Sequence, residues 1–315
     1  MKYLLQNSTR PHWNMAFDQY ALEGLRADEP LFFLWQNAPA VIIGLNQSPY
    51  AEVNLPFLEE KGIVLARRVT GGGAVYHDLG NLNYSIVGPS KAMEKAFELV
   101  PAALRELGAP AERSGRNDIL VEGRKCSGYA KRLWKDRMMI HGTLMWDVDL
   151  AALTEALLVP GSKVEAKGIA SVRSRVANLK DYLPQFPSID AFRAALQEIL
   201  AGGDKAFALE AGALETVDRM AEEKFGTWEW NFGHSPQTAH VAGQRFACGT
   251  VRVHYTLKHG VFESLQFSGD FLGNRPVEEL AQTLVGQPID AVLTLPTEEY
   301  FDKLSPAELH SLFQG

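Results

Sequence analysis

Apolar residues along this chain fall into two alternating kinds of stretch. Short dense runs, Leu31–Trp35 and Ala40–Gly44, carry aromatic and β-branched side chains and predict buried strands. Ile63–Ala66 and Leu82–Val87 predict two more, the first leading into Arg67-Arg68. Longer stretches have helical spacing: Asn14–Leu22, then Lys91–Leu107, begun near Ser90 and ended before Gly108. The stretch 111–147 has hairpin character, with a turn glycine in Val121-Glu122-Gly123-Arg124-Lys125 and a further strand over Met138–Trp146. Helices are expected at 149–157, 188–202 and 213–224. The composition shifts at Lys224–Gly233, and beyond it come alternating segments around 244–257 and 261–268, then a helix near 277–285. Strands and helices do not alternate strictly as βαβ units, so the pattern predicts an α+β fold. We divide it into a large domain, 1–224, and a small α+β domain, 225–315.

Bulk properties narrow the class. A hydrophobic content of 46 % with 22 % charged residues is that of an ordinary globular protein able to bury a large core without staples. The net charge of −7 argues against wholesale binding to nucleic acid or an anionic membrane, although local basic patches are compatible with it. Two cysteines far apart, Cys126 and Cys248, do not make a disulfide framework. The apolar run at the N-terminus is too short for a secretory signal, and no run approaches the roughly 18 residues that span a bilayer. A cytoplasmic protein is expected.

Chemistry concentrates in three places. In Arg67-Arg68-Val69-Thr70-Gly71-Gly72-Gly73-Ala74-Val75-Tyr76-His77-Asp78, two guanidinium groups precede three glycines. Such a run is either a plain tight turn or a place where an anion approaches bare N–H groups beside fixed positive charge, with Arg68 able to fork onto a phosphate. It is not a Walker A loop, since Gly-Lys-Ser/Thr is absent. The second place is Gly115-Arg116-Asn117-Asp118 with Gly123–Arg132, where Lys125 sits near small residues and Asp118 could hold Mg²⁺ near phosphates. A solvated basic hairpin is the plain alternative. The third is Ala166–Leu179, which reads equally as a mobile loop over a nucleotide or a surface loop. His141 reads as a satisfied strand histidine, His77 beside Asp78 is open to both readings, and no Cys/His cluster has zinc-ligand spacing. Cys126, beside Lys125 with Arg124 and Lys131 near, is a competing nucleophile; as a strand residue it would face away from Lys125.

With these residues in view the chain resembles the lipoate–protein ligases of the bacterial bidomain type. The resemblance rests on Arg67-Arg68-x-x-Gly71-Gly72-Gly73-Ala74-Val75-x-His77-Asp78-x-Gly80-Asn81, Gly115–Asp118, Lys125-x-Ser127-Gly128-x-Ala130, His141-Gly142-Thr143-Leu144 and Lys167–Val176. Trp228–Gly233 and the strand-plus-helix module after it resemble the family's small C-terminal domain, so the whole chain is covered. The resemblance implies a mixed-sheet catalytic domain of the biotin/lipoate ligase type, with ATP, Mg²⁺ and lipoate as reactants, lipoyl-AMP as intermediate and no covalent enzyme intermediate. By position Lys125 matches the essential lysine, in contact with the acyl carbonyl and the α-phosphate. Arg68 and the Gly73–Tyr76 backbone (Gly73, Ala74, Val75, Tyr76), with His77 next to them, match the nucleotide and substrate site. Trp35 and Gly71, Gly72 and Gly73 would line the tunnel for the apolar tail, and Arg132 would reach the acyl or phosphate region. Asn117 and Asp118 would flank the nucleotide, Asp118 meeting Mg²⁺ through phosphates, and Lys167–Arg175 would close over the adenylate. Implied partners are lipoyl domains of 2-oxoacid dehydrogenase E2 subunits or the glycine cleavage carrier protein, acidic as a class. Arg124, Lys131, Arg132, Lys135 and Arg137 are expected to give them a basic face. A monomer is expected. The alternatives are a cysteine-dependent octanoyl or lipoyl transferase, working through Cys126, and a non-catalytic lipoyl-domain binder.

Overall fold

The computed structural model describes residues 1–115, 117–157, 175–233, 240–258 and 261–313. Strand β5 (Asn81–Pro89) organises the larger part of it. Leu82, Tyr84 and Ile86 enter a core shared with helices α4 (Ala96–Glu106) and α6 (Ile189–Ala201), where Trp146 stacks on Phe192 at 4.7 Å. The alternate residues Asn81, Asn83 and Ser85 are equally buried but polar, because successive strand residues face opposite sides. β5 lies within a six-stranded sheet of order β1-β5-β9-β8-β7-β6, every neighbouring pair antiparallel. Its other strands are β1 (Leu31–Trp35), β6 (Ala111–Ser114), β7 (Asp118–Val121), β8 (Arg124–Trp134) and β9 (Arg137–Met145).

A second sheet, order β3-β2-β4, joins β2 (Ala40–Ile43) to β3 (Val64–Arg67) in parallel and to β4 (Val75–His77) antiparallel, which makes the fold mixed. Helix α1 (Pro11–Glu23) packs with both sheets through Met15, Phe17 and Leu22. The helix expected at 213–224 is α7 (Ala213–Met220) followed by a wider turn over Ala221–Phe225, which delivers Phe225 into the α1 core. The stretch expected as one helix from 91 is a short turn, Ser90–Ala92, and then α4. The β7–β8 turn has both central residues at positive φ, Glu122 at 50° and Gly123 at 75°, as a two-residue hairpin requires.

After the 229–233 turn, β10 (His240–Phe246), β11 (Gly249–Lys258) and β12 (Val261–Gly269) form an antiparallel sheet. Helices α8 (Val277–Leu284) and α9 (Pro306–Ser311) cover it, and these elements share a separate apolar core around Phe262, Phe267 and Phe301. This small unit docks on the large one by backbone bonds: Gly269 N–H to Asn46 O (2.9 Å), Gly72 N–H to Phe271 O (3.0 Å) and Leu133 N–H to Asn274 O (3.2 Å). Among the described residues no helix is long and apolar enough to cross a membrane.

Candidate functional site

A cavity of about 420 Å³ opens between the two sheets. Strand register lays out its floor: Trp35, Asn83 and Thr143 are cross-strand neighbours in β1, β5 and β9, and His141 lies beside Ala130 of β8. Gly72, Gly73, Ala74, Val75 and His77 line the opposite side, and Lys125, Asn117 and Asp118 one end. The small unit closes the rim with Arg245, Phe246, Ala247 and Asp270. Thus the glycine run and Lys125, distant in sequence, face one space.

The glycines serve close approach of backbone to backbone. A Cβ at Gly44 would stand 2.0 Å from Gly72 O, one at Gly71 2.4 Å from Phe271 O, and Gly72 has φ +92°. Arg68 holds this loop from within: Nη2 donates to Gly71 O (2.7 Å) and Gly73 O (2.8 Å), Nη1 to Ile42 O (3.0 Å) and Nε to Thr70 Oγ1 (3.0 Å). The two-pronged phosphate grip expected of Arg68 is therefore not what its fork does; the carbonyls occupy it. Burial, and then the neighbouring charge of Arg67, bring the Arg68 pKa down to about 10, so it stays charged at neutral pH. Arg67, fully buried, turns away from the cavity and fixes the Gly44–Gln47 turn to Trp230 and Asn231.

Lys125 lies at the start of β8. Its N–H donates to Arg175 O (2.8 Å) and its carbonyl accepts Ala177 N–H (2.9 Å), so the segment 175–177 is stitched to it. Lys167–Ser174, and Arg116, lie outside the described residues. Lys125 Nζ meets Asp118 Oδ1 at 2.7 Å in a half-exposed pair, the kind that water and a competing anion can dissolve at small cost. Gly128 makes space for it, since a Cβ there would lie 3.1 Å from Nζ. Asn117 is a clip: its amide donates to Tyr129 O (2.7 Å).

Two histidines reach the cavity in different states of satisfaction. His141 bonds Asp18 through Nδ1 (2.6 Å) and Thr70 through Nε2 (2.7 Å); Asp18 also accepts Ser85 Oγ–H (2.6 Å), and Ser85 accepts Trp35 Nε1–H (3.0 Å). His141 is the satisfied strand histidine the sequence predicts, yet it also lines the site. His77 accepts Asn37 Nδ2–H at Nδ1 (3.0 Å). Burial, reinforced by Arg68 and His141, lowers its pKa to about 3, so it is neutral.

Three expected site residues and the competing nucleophile stand apart. The Tyr76 ring packs away from the cavity, in the core with Val41 and Ile43, because strand alternation gives that side to its neighbours Val75 and His77. Gly71 and Arg132 line a smaller neighbouring cleft, where the Arg132 guanidinium donates to Val69 O. Cys126 is wholly buried in the α4 core, its Sγ on Ile119 O (3.4 Å) and its thiol pushed up to about 12 by burial, which makes it a poor nucleophile. The expected basic face does not form as such. Arg137 is buried and spends its guanidinium on the carbonyls of Ala21 and Leu22 in α1 and of Ala27 just beyond it, the half-buried Arg132 donates to Val69 O, and Lys131 lies 3.8 Å from Asp302. Sequence reasoning missed Asp18, Asn83, Thr143 and the small-unit rim. The first three could have been found as polar residues in apolar runs; Arg245 and Asp270 leave no such mark.

Comparison with known proteins gives the family of the chain. Residues 10–201 match the lipoyl protein ligase A/B catalytic domain, and residues 235–313 the bacterial lipoate protein ligase C-terminus. Lipoate-protein ligase LplJ of Bacillus subtilis is 39 % identical over 90 % of this chain and 88 % of its own length. A crystal structure of lipoate-protein ligase A bound with ATP is 30 % identical, with a TM-score of 0.64 over 74 % of this chain and 99 % of its own. The bipartite lipoate protein ligase of Thermoplasma acidophilum, from a study that also covers its E2 lipoyl domain, is 30 % identical with a TM-score of 0.67 over 76 % of this chain and 98 % of its own. On both the catalytic and the C-terminal match, the chain belongs to the lipoate-protein ligase family.

Proposed function

We propose that this protein is an ATP-dependent lipoate–protein ligase with Lys125 as its central cation. The observation that carries the reading is the shared cavity: Lys125 and the 72–75 segment face one space of a size usual for small-molecule sites. In the first half-reaction a lipoate carboxylate oxygen attacks the α-phosphorus of ATP. An O–P bond forms, the α–β bridging P–O bond breaks, and pyrophosphate leaves. In the second, the ε-amine of an acceptor lysine attacks the acyl carbon; a C–N bond forms, the C–O bond to AMP breaks, and the nitrogen loses a proton. Lys125, drawn off Asp118 by either anion, would neutralise charge on the acyl and phosphoryl oxygens in both steps. Trp35, Gly72, Gly73, Ala74, Val75 and His77 would bound the substrates, with Arg68 shaping the loop rather than gripping phosphate.

Among the described residues no three His, Cys, Asp or Glu side chains gather to hold a metal. That suits Mg²⁺ carried on the phosphates, with Asp118 as the carboxylate beside Lys125 that would meet it, since Mg²⁺ usually keeps waters and substrate phosphates as ligands. The acceptor we infer is an E2 lipoyl domain or the glycine cleavage carrier protein, the enzyme a cytoplasmic monomer. Its domains are 1–224 and 225–315, with Trp230 and Asn231 of the second tethered on Arg67 of the first. Incubation with ATP, Mg²⁺, lipoate and a purified lipoyl domain, followed by intact mass, tests the function. An added lipoyl group that requires ATP is expected; no mass gain on any acceptor would refute it.

A further inference from the structure

Two buried N–H donors in the cavity wall have no acceptor. His77 is 3 % and Asn83 1 % exposed, both line the cavity, and among the described residues neither His77 Nε2 nor Asn83 Nδ2 has a hydrogen-bond partner. Their chemistry is fixed from behind. Asn14 donates to Asn37 Oδ1 (2.7 Å), which turns the Asn37 amide nitrogen toward His77 Nδ1. With Nδ1 accepting and the ring neutral, the proton of His77 sits on Nε2. Likewise Asn81 Nδ2 donates to Asn83 Oδ1 (2.8 Å), leaving the Asn83 NH₂ as its free end. A pair of stranded donors is costly in a folded chain and calls for an acceptor supplied from outside.

Register says which acceptor. Asn83 pairs with Trp35 on one side and with Thr143 on the other, and Thr143 Oγ1 takes Gly128 N–H (3.2 Å). Lys125 Nζ lies over Gly128. Asn83 and Gly128 are thus two ladder spacings apart, about 9–10 Å between backbones. The Asn83 amide and the Lys125 ammonium, which occupies the space left by Gly128, therefore line the same cavity from strands two places apart in the sheet. We propose that His77 Nε2–H and Asn83 Nδ2–H form a two-donor seat for the carboxylate oxygen of the acyl substrate, opposite Lys125. This rests on the ligase reading above and assigns the residues that orient its acid. The seated oxygen is the one not attacking phosphorus; it becomes the carbonyl oxygen of the adenylate and carries the negative charge when the acceptor amine adds.

The test is binding of lipoate and of lipoamide, which keeps the dithiolane ring and chain but lacks the anionic carboxylate, by calorimetry at pH 8. The proteins are wild type, Asn83→Asp and His77→Met. Asn83→Asp is isosteric and turns a donor into an acceptor; His77→Met removes the other donor at similar volume. Each should weaken lipoate binding by about 10- to 100-fold, the loss of a hydrogen bond to a charged group, while lipoamide changes less than about threefold. Parallel losses for both ligands would assign the donors to the ring or to the fold and overturn the proposal, as would unchanged lipoate binding in Asn83→Asp. A wild-type protein that binds no lipoate would instead remove the ligase reading, and this seat with it.

Discussion

Replacing Arg67 by Met tests how the glycine loop is held. The guanidinium has no solvent contact. Nε donates to Trp230 O (2.9 Å), Nη1 to Gly44 O (3.1 Å), Leu45 O (2.8 Å) and Gln47 O (2.6 Å), and Nη2 to Asn231 O (2.8 Å). Burial lowers its pKa from 12.5 to about 10, which puts the cost of enclosing the charge near 3 kcal/mol. Methionine is shorter and avoids that cost, but it leaves the carbonyls of Leu45, Gln47, Trp230 and Asn231 without the guanidinium, while Gly44 O keeps Gln47 N–H (3.1 Å); each unpaired carbonyl in a closed site is worth about 1–3 kcal/mol. The balance is a net loss of about 3–5 kcal/mol, in line with breaking other buried charged networks. Urea denaturation followed by tryptophan fluorescence reads it; with an m value of about 1–3 kcal/mol/M the midpoint should drop by at least about 1 M. Arg67→Lys should recover less than half, because one ammonium cannot reach five carbonyls spread over two segments, 44–47 and 230–231, at once. A loss below about 1 kcal/mol in Arg67→Met would refute the reasoning, since it would mean that water or local movement satisfies these carbonyls.

Further outcomes follow from the site. Lys125→Ala should lower adenylate formation, read as ATP–pyrophosphate exchange, by about 10²–10³-fold with the melting temperature unchanged. Cys126→Ser should keep more than a third of wild-type acyl transfer, because the thiol is buried away from the cavity; abolished transfer would favour a thioester enzyme. Gly128→Ala puts a methyl 3.1 Å from Lys125 Nζ and should cut kcat for exchange by about 10-fold with little effect on folding, since it displaces only the end of a flexible side chain. For His77, the folded pKa of about 3 lies below the unfolded value of 6.5. Between those values the unfolded chain binds the extra proton, so His77 makes stability fall as pH drops from about 6.5 toward 3, by up to about 1.4 kcal/mol per pH unit. Denaturation midpoints of wild type and His77→Met should therefore converge at low pH, and parallel pH profiles would contradict this.

The elements were legible wherever one periodicity held. Leu31–Trp35 and Ala40–Ile43 are strands because they are buried on both sides, and α6 closes on Gly202 at φ +56° as its end signal implies. The site was legible only in part. Asn81-x-Asn83-x-Ser85 inside a strand that is otherwise apolar is the alternation of a face turned to something polar, and His141-x-Thr143 on β9 repeats it. Read together, those two strands would have outlined the floor of the cavity. What sequence does not carry is the direction in which a buried arginine spends its hydrogen bonds. Arg67 and Arg68 look alike in the chain, but strand alternation sends one to the 229–233 turn and the other under the glycines. The rim residues Arg245 and Asp270 come from a separately packed core, and nothing in their local pattern announces the docking.

That divergence of the arginine pair gives the glycine loop its rigidity without side chains of its own. Gly71–Gly73 cannot contribute packing, so its position has to be imposed from outside. Arg68 ties Gly71 O and Gly73 O to Ile42 of the central strand, Arg67 pins the Gly44 turn whose Cα abuts Gly72 O, and the small unit takes Gly72 N–H through Phe271 O. A movement of residues 240–313 that left the 229–233 turn in place would release the last of these three and keep the other two. Breaking that last bond frees one N–H of the glycine loop while both arginine anchors stay in place. Docking of the small unit and the number of donors offered to an anion at the glycines are therefore coupled through one hydrogen bond. Phe271→Leu keeps that carbonyl and an apolar side chain behind it, whereas Gly72→Ala meets both the φ of +92° and the Arg68 fork at 2.9 Å, so the loop tolerates change on the small-unit side far better than on its own.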